Sequence, residues 1–286
     1  MAKNRFLFLW LLVLSMVCRA QEISNDYNSN FAFNVHSIDE FFDRFDFKSN
    51  SAFEKFIRKE FPDVTFTRER MVYSLFNKRN TFLSKEGYVD EFVKQVADSF
   101  SPDYIYYSDK YWYAEIKCSV VFRSKLQSLL LTLKVEQPER NMFRWSVVSA
   151  KAEFLKNIAE ATPTVSADSG FSAKSSSYFL SPVSHGIDFT NIHYFFGNSE
   201  HAKEYTYNGP ATKELKNLIS LIRTGKLVFR QIDSIKYHLL QIKGWIVSVG
   251  HFNRNSKNSG WLIDNLMKVT PAQKIIFLKD HLNVLL

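Results

Sequence analysis

The chain is poor in cysteine, and this limits how it can be stabilised. Its 286 residues contain two cysteines, Cys18 and Cys118. Cys18 lies in a leader that we expect to be removed, so the mature chain keeps one cysteine and cannot form an intramolecular disulfide. Stability must therefore come from packing, for which 27 Phe, 13 Tyr and 5 Trp supply a large apolar area.

Several motifs of known chemistry are also absent. The sequence has no phosphate-binding loop, dinucleotide fingerprint, zinc-protease helix motif or hydrolase nucleophile elbow. Beyond the leader it has no apolar run of the roughly 20 residues that a membrane-spanning helix requires. We therefore predict no catalytic residue set, no cofactor and no transmembrane helix in the mature chain.

Charge is not concentrated in one region. The formal net charge is +8, and removal of the three basic residues of the leader leaves 34 basic against 29 acidic residues. Basic and acidic side chains alternate along the chain, as between residues 55 and 70. A nucleic-acid-binding protein normally gathers its basic residues on one stripe. We therefore predict solvated helix faces and no nucleic-acid partner.

The first 20 residues have the three parts of a secretory signal peptide. Lys3 and Arg5 precede an apolar run over residues 6–17, and the small residue Ala20 stands before the polar Gln21. Signal peptidase recognises this order of basic, apolar and small residues. We predict that residues 1–20 are removed and that Gln21 becomes the N-terminus.

Two alternatives for the leader are weaker. A twelve-residue apolar run is too short to serve as a membrane anchor. Lipid attachment at Cys18 normally requires a small residue before the cysteine, and Val17 stands there. We expect an exported protein in the periplasm or outside the cell, with cell-envelope association as an option.

The periodicity of residues 35–156 predicts helices followed by long strands. Residues 21–34 form a polar, flexible lead-in. Capping boxes begin helices at Ser37 and Ser51, and helical spacing continues over residues 71–76 and 88–97. Apolar and polar residues then alternate in three stretches, which predict antiparallel strands: 112–122, 129–135 and 143–147.

The second half has a similar order. Residues 157–177 are rich in Ser, Ala and Thr and predict a linker or loop. Within the predicted second α+β module, residues 178–286, a helix ends at Gly225 and strands follow, with a bend near Asp233. Thr270 before Pro271 predicts the start of a terminal element, either helix or strand. We therefore predict an α+β protein of two cone-like modules, each with helices packed on a curved antiparallel sheet.

The first module resembles the nuclear transport factor 2-like or cystatin-like cone folds. The resemblance rests on the predicted helices at 37–45 and 88–97 and the strands at 112–148. Residues 241–245 and 258–263 also resemble sequence segments of uncharacterised secreted bacterial proteins. The resemblance implies a curved sheet around helices with a pocket at its open end. Some members are isomerases or dehydratases with Asp, Tyr or His in the pocket, and others bind ligands, dimerise or support a partner.

Aromatic residues at the start of the first long strand are candidate ligand contacts. Tyr107, Tyr111 and Tyr113 belong to a group of six aromatics in ten residues. Their rings suit sugars and protein partners alike. The alternative, which the pattern favours, is a strand entry in which alternate rings face the core.

The loop at residues 253–260 is a second candidate. Arg254, together with His251, could hold an anion such as phosphate or a carboxylate. Asn, Ser and Gly also suit a simple hairpin turn, which is the favoured interpretation.

Three further features are interpreted as structural. His185, His193 and His201 recur every eight residues, a spacing that fits no familiar metal motif, so we predict no metal site there and interpret them as loop histidines. Cys118 lies between apolar residues on one strand face and is expected to be a buried, inert thiol. Glu115 and Lys117 lie two residues apart on the opposite face and are expected to form solvated cross-strand pairs.

These observations favour an exported binding or interaction protein of the cell envelope. Its partner would be a protein, a small ligand or a glycan. One alternative is an isomerase- or hydrolase-type enzyme that uses a polar cone pocket, with His238 or His251 as a contributor. Another is a structural subunit that forms a homodimer.

Overall fold

The computed structural model describes residues 34–85, 87–139, 142–156, 158, 180, 189, 191–255 and 258–285. These residues include helices and a seven-stranded sheet, which confirms the α+β class. The leader, nearly all of the polar lead-in and the Ser-rich segment apart from Ile158 lie outside the described residues. Their predicted roles stay predictions.

Within the described residues, five helices precede the first long strand, and side-chain capping explains where three of them begin. They are α1 (Ile38–Asp46), α2 (Ala52–Glu60), α3 (Arg68–Ser74), α4 (Thr81–Lys85) and α5 (Tyr88–Val96). The Ser37 and Ser51 hydroxyls accept the backbone N–H groups of Glu40 and Glu54, as predicted. A two-residue strand, β1 (Asn34–Val35), lies before α1.

The remaining strands join β1 in one mixed sheet. They are β2 (Trp112–Phe122), β3 (Lys125–Glu139), β4 (Met142–Lys151), β5 (Leu227–Leu239), β6 (Trp245–Phe252) and β7 (Ser259–Lys268). The spatial order is β1-β7-β6-β5-β2-β3-β4, and only the β1–β7 pair is parallel. Arg123 and Ser124, both with positive φ, form the turn between β2 and β3. The register of β5 against β2 skips Asp233, which confirms the predicted bend.

Further helices follow β4 and β7. They are α6 (Glu153–Lys156), α7 (Ile192–Gly197), a 3-10 helix (Ser199–Tyr205), α8 (Lys213–Arg223), α9 (Pro271–Ile276) and a π-helix (Phe277–His281). Gly225 has φ +63 after α8, as predicted for a C-cap. Thr270 and Gln273 form a capping box at the start of α9, so the terminal element is helical.

The two predicted cone-like modules are not confirmed. β2 from the first half pairs with β5 from the second half over residues Trp112 to Phe122, so both halves share one sheet. One large apolar cluster contains buried residues of both halves, including Phe41 and Leu218. The predicted boundary between residues 35–156 and 178–286 therefore runs through a sheet instead of between two sheets.

The two faces of the sheet are covered unequally. The first face, which carries Trp112 and Ile116, packs into the large apolar cluster beneath most of the helices. The second face carries a smaller cluster in which Tyr113, Val148, Leu240 and Ile246 meet Leu278, Leu282 and Val284. Residues 270–285, the C-terminal segment, cover this part of the second face. No helix in the described ranges has the length and apolar character that crossing a membrane requires.

Candidate functional site

Three metal-ligating side chains from distant parts of the chain meet on the second face. They are Glu115 of β2, His238 of β5 and His281 of the π-helix, and one ligand atom of each lies within 4.8 Å of the others. The donor set is two imidazole nitrogens and a carboxylate oxygen. No sequence motif joins these residues, so tertiary structure alone creates the group.

Strand register explains why Glu115 and His238 lie together. Tyr113 is opposite His238 in the antiparallel pair β2–β5, and Glu115 is opposite Lys236. Side chains two apart on a strand share a face, so Glu115 and His238 are diagonal neighbours on the second face. Long side chains reach across such a diagonal.

The C-terminal segment supplies the third group. His281 lies about one turn after Phe277, and their rings stack with centroids 4.7 Å apart. The centroid of His281 is 5.6 Å from that of His238. The ring centroid of Phe277 is 5.4 Å from that of His238. The rings of Phe277 and His281 therefore both lie over the buried imidazole.

His238 is the buried member of the group. Its exposed fraction is 1%, and its Nδ1 lies 3.0 Å from the Ser248 hydroxyl. Its Nε2 is buried and has no hydrogen-bond partner among the described residues. Burial, followed by the nearby His281 and Lys236, lowers the pKa of His238 to about 3. The imidazole is therefore neutral at physiological pH, which is the state that binds metals.

Glu115 and His281 are more accessible than His238. Glu115 is half-buried and His281 is exposed. Zinc bonds of about 2.0–2.1 Å place tetrahedral ligand atoms about 3.3–3.5 Å apart. The ligand atoms lie within 4.8 Å of one another, and the accessible Glu115 and His281 side chains have more room to adjust toward that spacing than the buried His238.

One positive charge lies close to the site. Lys236 is opposite Glu115 in the β2–β5 register and contributes to the lowered pKa of His238. Its Nζ is 3.9 Å from a carboxylate oxygen of Asp264. The positive charge of Lys236 would repel a bound cation, and the negative charge of Asp264 would partly offset that repulsion.

The predicted tyrosine contacts do not form one surface. Tyr107 stacks on Phe42 with ring centroids 4.1 Å apart and packs against the first-face core. Tyr113 is 5% exposed and lies in the second-face cluster, whereas Tyr111 is 47% exposed. Tyr107 and Tyr113 therefore pack in clusters on opposite faces of the sheet, and the role of the three tyrosines as ligand contacts stays a prediction.

His251 and Arg254 lie at the β6–β7 hairpin. His251 is exposed, with its ring centroid 5.1 Å from that of Trp261. Arg254 Nη1 donates to Asn77 Oδ1 at 3.0 Å and to the Asn258 carbonyl at 3.2 Å. These contacts tie the arginine to the hairpin and its neighbour, and anion binding there stays a prediction.

His193, His201 and Cys118 are not members of the second-face group. His193 is exposed on α7, His201 Nδ1 lies 2.7 Å from Glu204 Oε1, and His185 is outside the described residues. Cys118 is fully buried in the first-face core, and burial raises the pKa of its thiol to about 12. The predicted inert thiol agrees with this burial.

Sequence reasoning did not find the second-face group. The sequence pattern predicts solvated cross-strand pairs for Glu115 and Lys117, offers His238 only as a contributor to the enzyme alternative, and gives no signal at His281. One available signal was His238, a histidine on the second face of β5. A buried histidine needs a polar partner, and His238 becomes buried once a segment covers that face. Pairing of β2 with β5 could not be read from spacing.

Comparison of the chain with protein-family models, with curated proteins and with solved structures finds no significant match. The resemblance to the cone folds therefore stays a prediction. Function is argued below from the geometry of the second face.

Proposed function

We propose that this protein is an exported binding protein whose ligand is a divalent transition-metal ion, held by Glu115, His238 and His281. The observation that supports it best is His238. Its buried Nε2 has no hydrogen-bond partner among the described residues, and one nitrogen of its ring lies within 4.8 Å of ligand atoms of His281 and Glu115. A buried polar atom without a partner is costly, and a metal bond would satisfy it.

The donor set favours zinc and similar ions over calcium or magnesium. Imidazole nitrogen suits zinc, copper, iron and nickel, whereas calcium and magnesium prefer oxygen ligands throughout. Three protein ligands leave a fourth tetrahedral position for water. Ser248, at 3.0 Å from His238 Nδ1, is placed to orient the ring as an outer partner.

The proposal keeps the expected export. The basic start, apolar run and Ala20-Gln21 junction of the leader support delivery across a membrane. Outside the cytoplasm, a metal-binding protein meets ions from the surroundings of the cell. In this proposal, the small ligand predicted from the sequence is a metal ion.

Calorimetric titration of the exported chain with Zn²⁺, purified without an affinity tag, tests this function. We expect one ion per chain. His281→Gln and Glu115→Gln each remove a ligand from an accessible position, and should weaken binding by at least roughly 10- to 100-fold, the loss typical even of outer partners. Circular dichroism verifies that both variants remain folded.

His193→Gln is the matched control, because it removes an exposed histidine that lies apart from the second-face group. Its zinc affinity should equal that of the unmodified chain. Absence of stoichiometric zinc binding would contradict the proposal, as would binding that both ligand variants leave unchanged.

A further inference from the structure

The C-terminal segment is attached to the second face by a small apolar contact. Only three of its apolar side chains are buried: Leu278, Leu282 and Val284. Helix α9 buries no residue, and its Ile275 and Ile276 are 47% and 55% exposed. A segment with so little buried apolar area opens more readily than the core strands do.

The polar contacts of the segment are few and replaceable by water. Lys274 Nζ donates to the carbonyls of Leu240 and Ile242, each at 2.6 Å. The Thr132 hydroxyl donates to the Leu282 carbonyl at 3.1 Å. Lys151 Nζ also donates to the His281 carbonyl, and Asn283 Nδ2 donates to the Ser149 hydroxyl. Together they orient the docked segment.

The three donor groups lie on opposite sides of this contact. Glu115 and His238 belong to the sheet, whereas His281 belongs to the segment. One ion can bind all three only while the segment is docked. An ion that binds the docked state in preference to the open state stabilises docking by mass action, and the coupling is reciprocal.

The backbone at His281 provides a second observation. Residues Phe277–His281 form a π-helix, a rare geometry that is frequent at functional sites. This turn stacks His281 on Phe277 above His238. The helix is therefore irregular where the segment presents its donor to the sheet.

We infer that metal binding locks the C-terminal segment onto the second face of the sheet. Metal concentration then sets how much of the population covers the surface around Tyr113, Glu115 and Thr132. The inference rests on the proposed function, because coupling requires an ion at the three donors. Its consequence is an exported protein whose surface changes with metal supply.

Amide hydrogen exchange of the full exported chain, with and without Zn²⁺, tests the inference. We expect amides in residues 270–285 to exchange more slowly with zinc, by up to about a hundredfold when free zinc is about a hundred times its Kd. Amides of the central strand β2 should be unchanged, and a chelator should reverse the effect. Tryptic cleavage after the exposed Lys279 should slow in parallel.

Two variants of the same helix provide the comparison. His281→Gln removes the donor of the segment, so its exchange should stay fast with or without zinc. Lys279→Gln changes an exposed neighbour that is not a donor, and zinc should protect it as it protects the unmodified chain.

The outcomes separate this inference from the proposed function. Calorimetric zinc binding without any change of exchange in residues 270–285 overturns the coupling and leaves metal binding intact. Equal zinc protection in His281→Gln and the unmodified chain also overturns it. Failure of zinc to bind at all overturns both.

Discussion

At the scale of single residues, Gly260 is a position that excludes any side chain. Its φ is +88, and an added Cβ would lie 2.0 Å from the carbonyl oxygen of Val35. Val35 is its register partner in the parallel pair β1–β7. The absence of a side chain therefore lets β1 join the edge of the sheet.

Gly260→Ala should lower the free energy of unfolding by roughly 2–5 kcal/mol, which combines backbone strain with a clash that must be relieved. Urea denaturation measures the loss. Gly225→Ala is the matched control, because Gly225 also has positive φ but meets no atom within 4 Å. Its loss should be only about 1–2 kcal/mol. Equal losses in the two variants would show that contact with β1 is unimportant.

At the scale of elements, β5 carries both His238, the buried residue of the proposed metal site, and a positive charge that would repel a cation. His238 and Lys236 are two residues apart on the second face, and Lys236 contributes to the lowered pKa of His238. The carboxylate of Asp264, 3.9 Å from the lysine Nζ, compensates in part. The strand therefore limits how tightly an ion can bind.

Lys236→Met should raise zinc affinity by roughly three- to tenfold, because it removes a partly solvated positive charge near the ion. Calorimetry measures the change at low salt, and added salt should reduce it. Lys226→Met serves as control, since it removes the same charge from an exposed site just before the other end of β5. A gain of the same size in both variants would indicate an effect of net charge alone.

At the scale of the whole molecule, the chain depends on pairing between its halves. β2 is an interior strand between β5 and β3, and its first face is buried in a core to which both halves contribute. Without the second half, β2 would present a long unpaired edge. Such edges favour aggregation.

The fragment 21–156 alone should therefore fail to form a cooperative fold. We expect low solubility and no sharp transition in thermal denaturation followed by circular dichroism, whereas the full chain unfolds cooperatively. Co-expression with fragment 178–286 should raise the soluble yield, because β5 then restores the missing neighbour. A soluble fragment with its own sharp transition would instead support an independent first module.

Much of the local structure follows from the sequence because it depends on residues close in the chain. Ser37 and Ser51 mark helix starts, Thr270 marks the start of the terminal element, and the alternation over residues 112–122 defines β2 and its faces. The burial of Cys118 follows from the same alternation. Gly225 likewise marks the end of α8, since positive φ favours glycine.

The sequence by itself thus determined the α+β class, several of the helices and long strands, and which face of β2 is apolar. Only the tertiary structure decided that β2 pairs with β5, that one sheet unites both halves and that the C-terminal segment lies on its second face. Those contacts bring Glu115, His238 and His281 together. The physical reason is range: capping and periodicity act between neighbours, whereas strand pairing and docking depend on the packing of the entire chain.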